Sequence, residues 1–254
     1  MTEEFEELDW STMGTPEGQH MIRLLWDPPT PPSRGPRQKL SLDAVVEAGM
    51  RLAERDGVDA LSMRKVAAEL GVGAMSLYTY VPGRDELFEL MIDRAWGDRE
   101  RSAPDAPWRA RVTQIAETAW AMYQAHPWLV WSSQWRMPLG PHVMDAQEDL
   151  YRALDAGGLA PLDVSRAASL VEGHVFAHAR ISIIDNRLAA QTGVSIDSHW
   201  DSRASFWGTY FDPERFSHTV RLWEHGAFDQ AMGSIEEMRF GLELILDGIE
   251  KLTG

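Results

Sequence analysis

Between Ser62 and Leu87 the chain sets cations, small residues and hydroxyls on one side of two short helical segments. Arg64, Lys65, Ala74, Ser76, Thr79 and Tyr80 are left pointing outward once Ala67, Leu70, Val72, Leu77 and Val81 are used to lock the segments together. An Arg fork matches guanine edges, small residues permit close approach to a groove floor, and hydroxyls reach phosphates, so this is the complement a DNA major groove accepts. Ahead of it, Arg34, Arg37 and Lys39 place three cations within six residues of flexible chain, which by composition alone is a solvated basic linker.

Two further constellations could do chemistry. Trp128, Trp131 and Trp135 recur at i, i+3 and i+7, close to Trp120, Tyr123 and Met137, and the next helix adds Met144, Gln147, Glu148 and Tyr151 at matching spacings. Together they could wall a cavity for a flat apolar ligand, or simply fill a core. In Glu172-Gly-His174-Val-Phe176-Ala-His178, the two His stand at i, i+4 on one face, a spacing used by helical metal ligands. The zinc-hydrolase pattern needs Glu directly after the first His, however, and Val175 stands there. A subunit-interface stripe or polar pocket residues are the larger alternatives, so no metal or other cofactor is expected. No Ser sits in a nucleophile elbow, and pairs such as Glu148-Asp149 and Glu236-Glu237 read as solvated helix surface.

The elements that must position these groups are helical. Ser41 caps a helix that ends near Asp56-Gly57, with Leu40 and Val45 placed to staple across its start and Ala44, Val45, Ala48, Leu52 and Ala53 as its apolar stripe. Ser62 caps a second through Leu70, Gly71-Val72-Gly73 breaks it, a third covers about 74–80, and a fourth runs from Arg84 to about Gly97. Short helices joined by a tight Gly turn make a helix-turn-helix. Longer helices are expected at 107–125, 127–136, 141–156, 163–190, near 197–210, 213–225 and 234–252, the last opened by the capping box Ser234-x-x-Glu237. No segment alternates long enough for a sheet. The fold class is therefore all-α: residues 1–33 as a flexible N-terminal arm with a Pro-rich end, 34–97 as a three-helix DNA-binding domain with a basic lead-in, and 98–254 as a larger helical domain. Within the arm, Met21-Ile-Arg-Leu-Leu-Trp26 is apolar enough to dock on its own domain or on a partner.

Composition narrows the classes. The chain has 254 residues and no Cys, which excludes disulfide scaffolds, thiolate metal sites and Cys nucleophiles and suggests a reducing cytoplasm. It has no run of 18 apolar residues, and its first residues are acidic where a signal peptide is basic. Eleven Trp and twelve Met suit large apolar pockets. The net charge of −15 argues against a uniformly basic nucleic-acid binder, but residues 1–33 carry −6, 95–254 carry −8, and 34–94 only −1. Polyanion contact belongs in that middle segment, and the acidic remainder would orient the protein on DNA by repulsion.

Ser62-Met-Arg-Lys-Val-Ala-Ala-Glu-Leu-Gly-Val-Gly-Ala-Met-Ser-Leu-Tyr-Thr-Tyr-Val-Pro-Gly-Arg-Asp-Glu-Leu87 resembles, along its whole length, the DNA-binding domain of the tetracycline-repressor (TetR) family. The resemblance implies that Arg64 is a base-reading Arg and Lys65 a backbone contact. It places Ala74, Met75, Ser76 and Thr79 where recognition-helix side chains meet bases or phosphates, and Tyr78 and Tyr80 where hydroxyls reach phosphates; Tyr78 could instead pack in the small core. Arg84 stands where the family usually has Lys, so a phosphate contact is implied, with pairing to Asp85 or Glu86 as the alternative. Long-armed antibiotic-export repressors of the family carry similar basic extensions, which would send Arg34, Arg37 and Lys39 into a minor groove. The run Phe240–Ile249 is similar to the end of the family's regulatory domain, implying a dimer bundle with Leu242, Ile245, Leu246 and Ile249 at the interface; a buried core within one subunit competes. The expectation is a homodimeric repressor of an efflux or secondary-metabolism gene, released from operator DNA by a small hydrophobic or aromatic inducer and associated with no membrane. A hydrolase built on His174 and His178, or a DNA-binding protein without effector, is the alternative.

Overall fold

The computed structural model describes residues 14–28, 40–133, 136–228 and 233–252. Among these there are helices and turns but no strands. The chain divides into two compact units, one of residues 1–99 and 131–148 and the other of residues 100–130 and 149–254.

In the first unit α1 (Pro16–Trp26) and α2 (Leu42–Asp56) are each opened by a hydroxyl cap: Thr15 accepts from Gly18 N and Ser41 from Ala44 N, both at 3.1 Å. A 3-10 turn (Val58–Ala60) leads to α3 (Met63–Glu69), where Ser62 accepts from Lys65 N. The turn after α3 is closed by two backbone bonds, Gly71 N to Ala68 O at 3.1 Å and Val72 N to Ala67 O at 3.0 Å. This pattern needs a left-handed residue, and Gly71 supplies it at φ +66°. Then follow α4 (Ala74–Leu77) and α5 (Arg84–Gly97). Val45, Ala48, Leu52, Val66, Leu77, Val81, Leu87 and Met91 are buried together in this unit. Gly49 lets α2 approach α5, since a Cβ there would lie 2.9 Å from Met91 Sδ. Arg94 on α5 pairs with Asp43 on α2.

Residues 16–26, expected within a mobile arm, instead form α1 and pack on α5. Met21, Leu24 and Leu25 recur at helical spacing and are buried, while Trp26 Nε1 donates to Leu139 O at 2.7 Å. Residues 131–148, placed by sequence with the larger domain, cluster with this first unit. They join it through Asp93 of α5, whose buried carboxylate accepts from the backbone N–H of His142 and Val143, both at 3.0 Å, and from His142 Nδ1 at 2.8 Å. Asp93 thus caps α7 (Pro141–Asp155) from another helix, and Gly140 carries no side chain that would collide with it.

The second unit holds α6 (Trp108–Ala125), α8 (Pro161–Thr192) and α12 (Ile235–Glu250), which pack on one another. Ser234 caps α12 by accepting from Glu237 N, as the capping box requires, and Glu237 accepts in return from Gly233 N at 2.6 Å. A half-buried Asp149 collects Ser102 N, Ser102 Oγ and Arg111 Nη2. Two expected helices are different here. Among the described residues of 127–136 the structure gives a 3-10 turn (Pro127–Trp131) in place of an α-helix. Residues 197–210 break into α9 (Ile196–Asp201) and α10 (Ser205–Thr209); α11 is Ser217–Glu224, preceded by an Asp212 side chain that accepts from Glu214 N and Arg215 N.

Gly71→Ala should lower stability by about 1–2 kcal/mol, because the cost is that of a left-handed L-residue and no atom lies within 4 Å of the new Cβ. Urea unfolding at fixed protein concentration measures it, and an unchanged midpoint would show that the turn tolerates another geometry.

Candidate nucleic-acid interface

The outward set is built by α3, the Gly71 turn and α4. Burying Val66, Ala67, Leu77 and Val81 forces the intervening residues to the other side. Arg64, Lys65, Ser76 and Thr79 are exposed, Ala74 and Tyr80 half-buried, and Met75 is 79% and Tyr78 48% exposed. Tyr78 therefore does not fill the small core. Among the described residues no carboxylate pairs with Arg64. Glu69, the acid nearest in sequence on α3, is held by Arg55 at 3.2 Å from each of two guanidinium nitrogens. Asp56 pairs with the same Arg at 3.1 Å, which holds its carboxyl below the ordinary carboxylate value.

Arg84 is placed differently from the rest. Its Nε donates to Leu61 O at 3.1 Å, Nη2 to Val58 O at 3.2 Å, and Nη1 pairs with Asp85 at 3.2 Å. It ties α5 to the 3-10 turn before α3, a role that its position at the head of a helix did not reveal. Arg34, Arg37, Lys39 and Trp135 lie outside the described residues.

The expected aromatic wall is not one face. Residues 127–131 form a 3-10 turn, and Trp128 is 2% exposed while Trp131 is 45% exposed. Trp120, Tyr123, Trp128, Tyr151, His174, Phe176 and His178 belong to the second unit, and Trp131, Met137, Met144, Gln147 and Glu148 to the first. Within the second unit Trp120 and Tyr123 are buried, and Tyr123 meets Phe176 edge-on at 5.7 Å. His174 Nε2 donates to Met238 O at 2.8 Å and His178 Nδ1 to His174 O at 3.0 Å, their rings 4.3 Å apart. Gly241 makes the first bond possible, since any Cβ there would overlap the His174 ring. Among the described residues no group of three His, Asp or Glu could hold a metal ion.

The stripe expected at a subunit interface is also placed otherwise. Leu242, Leu246 and Ile249 are buried in their own subunit and Ile245 half-buried, on the side of α12 that packs against α6 and α8. The apolar residues α12 leaves outward are Phe240 and Leu244, 69% and 58% exposed. Their i, i+4 spacing was visible in sequence, but the stronger neighbouring stripe masked it.

With this geometry in hand, comparison with known proteins is decisive. Residues 45–91 match the model of bacterial regulatory proteins of the tetR family, and residues 102–253 that of the tetracyclin repressor-like C-terminal domain. The chain belongs to the TetR family. It is thus a helix-turn-helix transcriptional repressor and not an enzyme. Relatives include the HTH-type transcriptional repressor DrrR1 of Streptomyces coeruleorubidus, 37% identical over 95% of this chain and 89% of the relative. Another is the repressor Rv1353c of Mycobacterium tuberculosis, 28% identical over 88% of this chain and 86% of its own length. Among solved structures, TetR-family ActR of Streptomyces coelicolor is 26% identical without ligand, covering 86% of this chain and 99% of ActR at a TM-score of 0.71. In complex with actinorhodin it is 27% identical, covering 83% and 95% at 0.70. No described helix is long and apolar enough to cross a membrane.

Arg84→Ala should lower the stability of this TetR-family chain by about 1 kcal/mol, since two carbonyl acceptors lose a charged donor that is itself partly exposed. A denaturation midpoint equal to the parent's would remove the assigned tie.

Proposed function

We propose that the chain acts as a homodimer that places α4 of each subunit in successive major grooves of a pseudo-palindromic operator and represses transcription by occupancy. The observation that carries this is the outward set itself, Arg64 unpaired by any described carboxylate beside Lys65, Ala74, Met75, Ser76, Tyr78, Thr79 and Tyr80, opposite a fully buried Leu77 and Val81. Arg64 reads bases, Lys65 and the hydroxyls position the backbone, and Arg34, Arg37 and Lys39 add contacts along the minor groove. Arg84 acts here through the fold of the head. Two heads must sit about one DNA turn apart, and the outward Phe240 and Leu244 of α12 supply an apolar surface for the partner. The cytoplasm is the compartment that such a role requires.

Selection from random duplexes by the full chain should yield a two-fold symmetric sequence; an asymmetric one would count against the dimer. Arg64→Ala should lower the preference for that sequence over random duplex by about tenfold or more, within the ~1–3 kcal/mol of a bidentate base contact, whereas Lys65→Ala should weaken both alike. Equal losses in the two variants would overturn the roles given.

The inducer is a small hydrophobic or aromatic molecule bound within the second unit near Trp120, Tyr123, Trp128, Tyr151 and Phe176, with His174 and His178 as polar partners. Support comes from the Tyr123–Phe176 ring pair and from the ActR complex with actinorhodin. The proposed target is an efflux or secondary-metabolism gene. Such a ligand releases operator only by favouring a conformer of low DNA affinity. Flat lipophilic compounds titrated against Trp fluorescence should give a saturable change that coincides with loss of duplex binding and is weakened by Phe176→Ala. A panel without any response would favour a repressor that needs no effector.

A further inference from the structure

Helices α2 to α5 carry one methionine each, and three of the four do what methionine ordinarily does. Met50, Met63 and Met91 are 8%, 6% and 0% exposed and fill the core of the reading head. Met75 on α4 is 79% exposed, more than any other large apolar side chain among the described residues. A single exposed apolar residue needs no explanation in itself. This one stands in the middle of the outward set.

Its neighbours determine what it can reach. Leu77, two positions on, is fully buried and fixes the orientation of the turn with Met75 outward. Gly73 and Ala74 precede it and Ser76 follows, and a Cβ placed on Gly73 would meet nothing within 4 Å. The backbone there carries little bulk, and Met75 is the longest outward side chain of α4.

The chemistry of the major groove limits what such a group can meet. Base edges there present ring-nitrogen and carbonyl acceptors and exocyclic amino donors, and their one apolar projection is the 5-methyl group of thymine. A thioether is only a weak acceptor, so it gains little from the polar edges, but it packs well on a methyl group and excludes water from it. The outward set also contains no Asn or Gln, the residues that read adenine by paired hydrogen bonds. Arg64 suits guanine, which leaves A·T pairs to be read through the thymine methyl.

We propose that Met75 is a specificity-determining residue whose thioether packs on the 5-methyl group of a thymine in each operator half-site and so selects A·T at that position. The assignment rests on the operator reading above and names what one further side chain recognises. Lys65 and the hydroxyls keep their phosphates.

The test uses the full chain and the duplex it selects, with thymine replaced by uracil one position at a time in both half-sites. That exchange removes the methyl group and keeps every hydrogen-bonding group. At one position the parent should lose about fourfold in affinity for each half-site altered, the worth of one buried methyl group. Met75→Ala should no longer tell thymine from uracil there, whereas Met75→Leu should keep the discrimination. Both variants should melt with the parent, because the side chain is exposed. Absence of any preferred duplex would overturn this assignment together with the operator reading. A preferred duplex without thymine in its half-sites, no position sensitive to uracil, or a Met75→Ala variant that retains every sensitivity of the parent would overturn the assignment of Met75 alone.

Discussion

The reading head depends on how the chain reverses between α3 and α4. Val72 and Gly71 send their N–H groups back to the carbonyls of Ala67 and Ala68, which is possible only with Gly71 in the left-handed region. Once that closure is made, the direction of the next ten residues is settled by burial. Leu77 and Val81 go fully inside, so Met75, Ser76, Tyr78 and Thr79 must face out. Core and reading surface are two sides of one short stretch, and neither can be changed without turning the other.

Charge acts on top of this geometry. A chain of net charge −15 can approach a polyanion only where its acids are scarce or already paired. Arg55 holds Asp56 and Glu69 beside the head. In the second unit Arg109 gathers Glu243, Asp247 and Glu250, and Arg239 pairs with Glu117. These exposed pairs contribute little to stability, but they occupy cations that would otherwise offer DNA alternative docking surfaces. Arg64, with no carboxylate partner among the described residues, keeps its guanidinium for a ligand.

A second constraint organises the first unit away from the reading surface. Asp93 satisfies the first amides of α7 from the opposite helix, so α5 braces both α2 and the start of α7.

Local chemistry was legible in the residues. Ser41, Ser62 and Ser234 cap the helices they precede, Gly71 turns the chain, and the apolar register of 62–81 put Arg64, Ser76, Tyr78 and Thr79 on the outside, because each of these depends on neighbours within four or five positions. Interactions between residues remote in sequence were not. Arg84 reaches carbonyls 23 and 26 residues away and Asp93 caps a helix 49 residues on. The apolar run of residues 21–26 announced that it would dock, but not that α5 would receive it. The apolar stripe Leu242, Leu246, Ile249 has the same spacing whether it meets a partner subunit or its own α6 and α8, and only the packed structure shows that its own helices claim it. Periodicity states that a face must be covered; which surface covers it is decided when the chain has closed on itself.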